Sequence, residues 1–236
     1  MKTKKKDRLQ VIWDKRVAGT LEPHKKGRVV FQYSQDWLKT NSAPVSISLP
    51  CRQEKFAPAI STAFFENLLP ESNTRTLLAF HRRFDKKDTF AFLENYGEAC
   101  AGALSIIPED QEPDFTPGQY ENITRLLIET LDKIRFDPAR YQLYPEMKHT
   151  RLSLAGAQDK LPVYIKENQF YLPKNPGSAT THIIKPMNAS FTDIQRNEAL
   201  CMELAQRSDF PVPDSSIITI GGHELFVVER YGFGKK

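Results

Sequence analysis

Short runs of alternating apolar and polar residues open the chain. Leu9 to Trp13 alternates toward a strand, Asp14-Lys15-Arg16 reads as a turn, and Val17 to Leu21 returns, which is a hairpin signal. Val29-Val-Phe-Gln-Tyr33 predicts a third strand, and Val45 to Leu49 a short β-prone piece ended by Pro50. The period then lengthens. Ala63 to Leu69 is apolar on most sides and predicts a helix that stops at Pro70. Asn73 is placed to cap a second helix through Phe84, and Asp88 a third, Thr89 to Tyr96, ended by Gly97. Ala101 to Ile107 predicts a buried strand.

The run from Pro108 to Gly118 is acidic and proline-rich, with little to bury, and reads as a linker or a long surface crossing. Helical spacing resumes from Glu121 to Ile134 through Ile123, Leu126, Leu127 and Leu131. Leu161 to Ile165 is strand-like, Thr181 to Lys185 is an apolar strand ending in lysine, Asp193 to Arg207 is helical, and Glu224 to Tyr231 is again a strand. The expected fold class is α+β. Residues 1–108 form a mixed sheet-and-helix subdomain, 109–118 a linker, and 119–236 a second unit. No internal repeat or low-complexity tract interrupts this order.

Composition narrows the classes without choosing one. The 236 residues are 40% hydrophobic and 26% charged, an ordinary globular balance. No apolar run approaches the ~20 residues of a membrane helix, and no signal-peptide apolar stretch follows the basic N-terminus. Cys51, Cys100 and Cys201 are odd in number and far apart, so the expectation is a reducing, cytoplasmic compartment and buried thiols. The net charge is +4, and much of the excess lies in the first eight residues. Such a segment fits a solvated tail, or weak contact with an acidic partner. No zinc-finger or RNP spacing points to direct nucleic-acid readout.

Four features of the second unit carry candidate chemistry. Ser153, Ala155, Gly156 and Ala157, within Arg151 to Lys160, are small enough to let a backbone approach a ligand. Exposed N–H groups in such a turn cradle phosphate oxygens, although the same pattern also fits a tight turn between strands. Lys185 ends its apolar strand, where a solvated strand-end charge is the simpler reading. On the helix from Asp193, a turn of 100° per residue brings Ile194, Cys201, Met202 and Ala205 within about 60° of Glu198. A carboxylate on an apolar face needs a partner, and Lys185 is the nearest upstream candidate. Lysine from a strand paired with glutamate from a helix is how kinases hold the α- and β-phosphates of ATP. Glu224 to Tyr231 is the fourth feature: an apolar strand running into an acid and an aromatic, in the place of a kinase hinge.

In these stretches the chain resembles the HipA family, the serine/threonine kinase toxins of bacterial toxin–antitoxin modules. The motifs are Ser153 to Lys160, Thr181-His-Ile-Ile-Lys185, Asn197-Glu198 and Val228-Glu-Arg-Tyr231 in the second unit. In the first they are Val45 to Pro50, Phe64 to Pro70 and Gly102 to Asp110. The resemblance spans essentially the whole chain. It implies a HipA-like N-terminal subdomain followed by a kinase-like small lobe with an antiparallel sheet and one αC-like helix. It implies ATP with Mg²⁺ as cofactors. Ala155, Gly156, Ala157, Gln158, Asp159 and Lys160 would lie at the ATP phosphates, and Lys185 would contact phosphate and pair with Glu198. Glu229, Arg230 and Tyr231 would lie at the adenine, and Ser153 would be the autophosphorylated serine. A phosphate at Ser153 adds about −1.5 to −2 charges beside a phosphate site, which accounts for inhibition by that modification. The implied partner is a HipB-like antitoxin, with DNA reached only through it.

Phosphoryl transfer also needs an aspartate to position the nucleophile and acids or amides to hold Mg²⁺. Only Arg230-Tyr-Gly-Phe-Gly-Lys-Lys236 follows Glu229, and none of these offers a side-chain carboxylate or amide. His81-Arg-Arg-Phe-Asp85 superficially resembles a catalytic loop, but it precedes Lys185 and falls in an expected helix. The expectation is therefore no catalytic and no metal-ligating residue here, and a toxin part inactive alone. The alternatives are a non-catalytic subunit engaging an antitoxin or a separately encoded catalytic lobe, and a small basic nucleic-acid binder.

Overall fold

The structure, a computed structural model, describes residues 8–13, 15–40, 43–70, 72–98, 104–112, 114, 116–137, 141, 143, 160–175, 178–186 and 193–230. They form an α+β protein of two compact units, one up to Phe115 and one from Thr116 onward.

The first unit is built on an antiparallel sheet of β1 (Leu9–Trp13), β2 (Arg16–His24), β3 (Arg28–Tyr33) and β4 (Leu104–Pro108), in the order β3-β2-β1-β4. Val11 pairs with Gly19 and Ile12 with Val17, so Ala18 is a bulge. Gly19 is required there, because a Cβ would lie 2.3 Å from the Gln32 carbonyl oxygen. The helices are α1 (Gln35–Lys39), α2 (Pro58–Glu66), α3 (Ser72–Arg82) and α4 (Thr89–Tyr96). Ser34 caps α1 and Asp88 caps α4 through side-chain oxygens accepting from Trp37 N–H and Ala91 N–H. β3 is an edge strand, and α2 covers it. Ser61 Oγ accepts from Phe31 N–H and Thr62 Oγ1 from Val29 N–H, both at 3.1 Å. Phe31, wholly buried, meets Tyr33, Phe56 and Phe65 at ring distances of 4.8, 6.0 and 5.4 Å. Arg75 ties the helices together, pairing with Glu66 at 3.0 Å and lying over the Phe92 ring.

The second unit is a six-stranded antiparallel sheet in the order β5-β7-β6-β8-β10-β9. Its strands are β5 (Tyr120–Asn122), β6 (Leu161–Lys166), β7 (Gln169–Pro173), β8 (His182–Pro186), β9 (Ser215–Ile220) and β10 (His223–Glu229). Its helices are α5 (Thr124–Phe136) and α6 (Ile194–Arg207). Two hairpins turn on pairs of residues with positive φ, Glu167-Asn168 and Gly221-Gly222. Cα partners across an antiparallel ladder share a face, which sorts the side chains. Leu161, Val163, Ile184, Leu225 and Val227 lie on one face and are buried. α5 closes that face. It buries Leu127 and Leu131, and Asp132 meets His223 Nε2 at 2.8 Å.

Several sequence expectations are corrected. Val45 to Leu49 is a turn closed by a Ser46–Leu49 bridge, because Ser46 Oγ accepts from Ser48 N–H and satisfies the backbone locally. The helix expected from Ala63 starts five residues earlier, at Pro58, whose fixed φ suits a first helical position, and ends at Glu66. Asn73 is no cap, since α3 already begins at Ser72, and it ends at Arg82 before Arg83 turns left-handed at φ 58°. α5 begins at Thr124, not Glu121, because residues 120–122 pair with β7. Cys51 and Cys201 are exposed rather than buried. No described helix is long and apolar enough to cross a membrane.

Candidate functional site

The second face of the six-stranded sheet carries the chemistry. Lys185 on β8 is the Cα partner of Phe226 on β10, and Ile183 is the partner of Val228 and of Pro162. α6 lies on this face against β9 and β10. Its inward residues are Gln195, Glu198, Ala199, Met202 and Ala205, a helical stripe at spacings of three and four. Cys201, expected on the stripe, is exposed, and Gln195, not expected there, is buried.

Lys185 Nζ donates to Glu198 Oε1 at 2.6 Å. The pair is mostly withdrawn from water, with side chains 20% and 26% exposed. The ammonium also lies 5.4 Å from the centroid of the Phe226 ring, whose π face attracts a cation. Glu198 Oε2 is buried and has no hydrogen-bond donor among the described residues. Lys185 is therefore the carboxylate's one described partner, so the two hold each other in place. Arg196 donates to both carboxylate oxygens of Glu224 at 3.2 Å, a second link from α6 to β10.

Farther along the same face, Ile183 and Val228 are half-buried and apolar. The ladder then reaches Glu229. Glu229 is three residue steps from Phe226, about 10 Å at the usual strand rise. That length is comparable to a nucleotide from phosphates to base. The end of β10 is tightly bonded. Glu229 N–H donates to Asp214 O at 2.8 Å and Arg230 N–H to Thr181 O at 2.9 Å, so neither amide is left for a base. The Arg230 guanidinium donates to Thr180 Oγ1, and burial holds its pKa below the usual arginine value. Arg230 thus acts as a tie between the end of β10 and the approach to β8. His182 contacts Thr181 Oγ1 through Nδ1 at 2.7 Å; burial lowers its pKa, and the Glu229 carboxylate partly opposes this.

The structure brings Lys185, Glu198, Glu229 and Arg230 onto β8, α6 and the end of β10. Extending the β6–β8 register by one residue sets Lys160 opposite Lys185. Ser153, Ala155, Gly156, Ala157, Gln158, Asp159 and Tyr231 lie outside the described residues. Phe226, Thr180 and the Arg196–Glu224 link were not anticipated from the sequence. The alternation of β10 was the available signal, since it puts Glu224, Phe226 and Val228 on one face.

The HipA N-terminal domain model matches residues 9–107, and the HipA-like C-terminal domain model matches residues 152–233. The Sinorhizobium fredii protein Y4mE is 37% identical over 229 residues, covering 94% of this chain and 53% of that protein. The serine/threonine-protein kinase toxin HipA of Shewanella oneidensis is 28% identical over 202 residues, covering 84% of this chain and 44% of the toxin. The chain thus spans about half the length of these curated relatives. Among solved structures, the Shewanella oneidensis toxin–antitoxin complex of HipA, HipB and operator DNA contains a chain of the same fold. Its TM-score is 0.71 at 24% identity, covering 94% of this chain and 50% of that one.

Proposed function

The chain belongs to the HipA family, and from that premise we propose that its second unit is the nucleotide-holding small lobe of a serine/threonine kinase toxin. The observation that carries this reading is the 2.6 Å contact between Lys185 on β8 and Glu198 on α6. A lysine held by a helix carboxylate and backed by an aromatic ring presents a fixed ammonium to phosphate oxygens. The half-buried Ile183 and Val228 offer an apolar floor for a base on the same face. These residues fit ATP, which when bound supplies the phosphoryl group to be transferred. No group of three or more His, Cys, Asp or Glu among the described residues is placed to hold a metal, so no step is assigned here to Mg²⁺.

We expect these 236 residues to hold nucleotide, with an aspartate for the nucleophile and groups for Mg²⁺ as the further needs of phosphoryl transfer. In this reading it works beside a HipB-like antitoxin and a catalytic lobe carrying those groups. Ser153 is the proposed site of an inhibitory phosphate. Calorimetry with ATP and Mg²⁺ tests the site. Lys185→Ala should weaken binding by at least about tenfold, the loss of one charge-assisted contact. Equal affinity in the two proteins, or no binding by the wild type, removes Lys185 from a nucleotide site. Mass spectrometry after incubation with ATP should find Ser153 unmodified; robust phosphate there would overturn the expectation of inactivity alone.

A further inference from the structure

The first unit carries a concentrated positive surface that the nucleotide site does not use. Two short segments, 24–28 and 81–88, hold Lys25, Lys26, Arg28, Arg82, Arg83, Lys86 and Lys87. Against these seven cations stand Asp85 and Asp88, so the segments carry +5 with histidines neutral, where the whole chain carries +4. The fold brings the segments together. A Cβ on Gly27 would lie 2.6 Å from the Asp88 Cα and 2.9 Å from the Lys87 carbonyl oxygen, so the two turns pack backbone to backbone.

Both acids are engaged with backbone. Asp85 accepts from Lys87 N–H at 2.9 Å, and Asp88 accepts from Ala91 N–H as the α4 cap. Among the described residues, Lys25, Lys26, Arg83, Lys86 and Lys87 make no ion pair, and all are exposed. Elsewhere in the same unit several cations are paired: Arg8 and Lys55 with Glu22, Lys39 with Asp36, and Arg75 with Glu66. Lys26 and Arg83 also hold left-handed backbone, φ 63° and 58°, where glycine or asparagine is the ordinary occupant.

We propose that these paired turns are a binding surface for the phosphate backbone of a nucleic acid duplex. Adjacent unpaired cations match a polyanion with closely spaced charges, whose binding is driven by counterion release. A protein partner fits less well, because lysine is depleted from protein interfaces. An anionic membrane also fits less well, because these segments hold no exposed large apolar residue and Phe80 (78%) is the only one beside them. The surface lies on residues separate from Lys185 and Glu198, so it stands or falls apart from the nucleotide site.

The test is fluorescence anisotropy with the whole chain and a short labelled duplex of mixed sequence, in DNA and RNA forms, between about 50 and 200 mM salt. Wild type should bind at the low end. The variant K26E/R83E/K86E/K87E should bind at least about tenfold more weakly, with a salt slope smaller by about 4. The control K15E/K39E/K166E/K174E has the same net charge and should bind within about threefold of wild type. The neutral pair K86Q/K87Q, less able to disturb folding, should weaken binding in the same direction. Equal loss in site and control variants would reduce the effect to net charge and overturn the proposal. So would unchanged binding by the site variants, or capture of wild type by anionic vesicles but not by duplex.

Discussion

The two units solve the same problem, a sheet with helices against it, in different ways. The first buries aromatics: Phe31, Phe65 and Phe92 are fully enclosed, and α2 uses hydroxyls to cover the edge of β3. The second is apolar on one face only. On the other face it places an ammonium, a carboxylate and an arginine–glutamate link. Apolar packing is non-directional and contributes most of the stability. A partly buried ion pair contributes little net stability but fixes two charged groups in position. The contrast teaches that stability and chemistry sit on different faces of similar sheets.

The comparison breaks first at Phe31. Phe31→Ala should cost about 3–5 kcal/mol by opening a cavity among Tyr33, Phe56 and Phe65. Urea melts read it specifically, because both tryptophans, Trp13 and Trp37, are stacked in the first unit at 5.8 Å. A loss below about 1 kcal/mol would mean the aromatic cluster is not the core it looks to be.

The pair in the second unit should behave otherwise. Lys185→Met leaves the Glu198 carboxylate without its described partner and should cost about 1–3 kcal/mol, followed by far-ultraviolet circular dichroism. Adding Glu198→Gln should recover part of that loss, since the orphaned charge is then gone. Strict additivity of the two substitutions would separate the residues and dissolve the pair. A smaller effect sharpens the first unit: Asp88→Ala removes the α4 cap and should cost about 1 kcal/mol in the tryptophan-read melt.

The smallest expected effect is in pH. Burial lowers the folded pKa of His182 below its ordinary 6.5, so the unfolded chain takes up its proton first. The stability linked to His182 is complete above about 6.5 and is lost as pH falls through the lower folded value. His182→Gln should flatten that part of the acid limb. An unchanged pH profile would show that His182 is not held neutral by its surroundings.

Much of this was legible. The strands β1 to β4, the Asp88 cap and the α6 helix follow from short alternations and capping chemistry, and Glu198 stood out as an acid on an apolar face. Val45 to Leu49 was misread because serine hydroxyls compete with ladder bonds, which β-propensity ignores. β5, β7 and β9 were missed although two of them adjoin two-residue hairpin turns, β7 after Glu167-Asn168 and β9 before Gly221-Gly222. The exposure of Cys201 came from a helix face placed partly off its true direction, which no single helix can reveal without its neighbour.

The sequence alone determined the α+β class and singled out Lys185 and Glu198, because each depends on local spacing and residue type, and its motifs carried the resemblance to the family. Only the tertiary structure decided that Phe226 lies under Lys185, that Arg230 turns onto Thr180, and that two basic turns meet at Gly27. The reason is physical. Each of these depends on ladder register or on the packing of residues distant in the chain, and spacing along one segment contains neither.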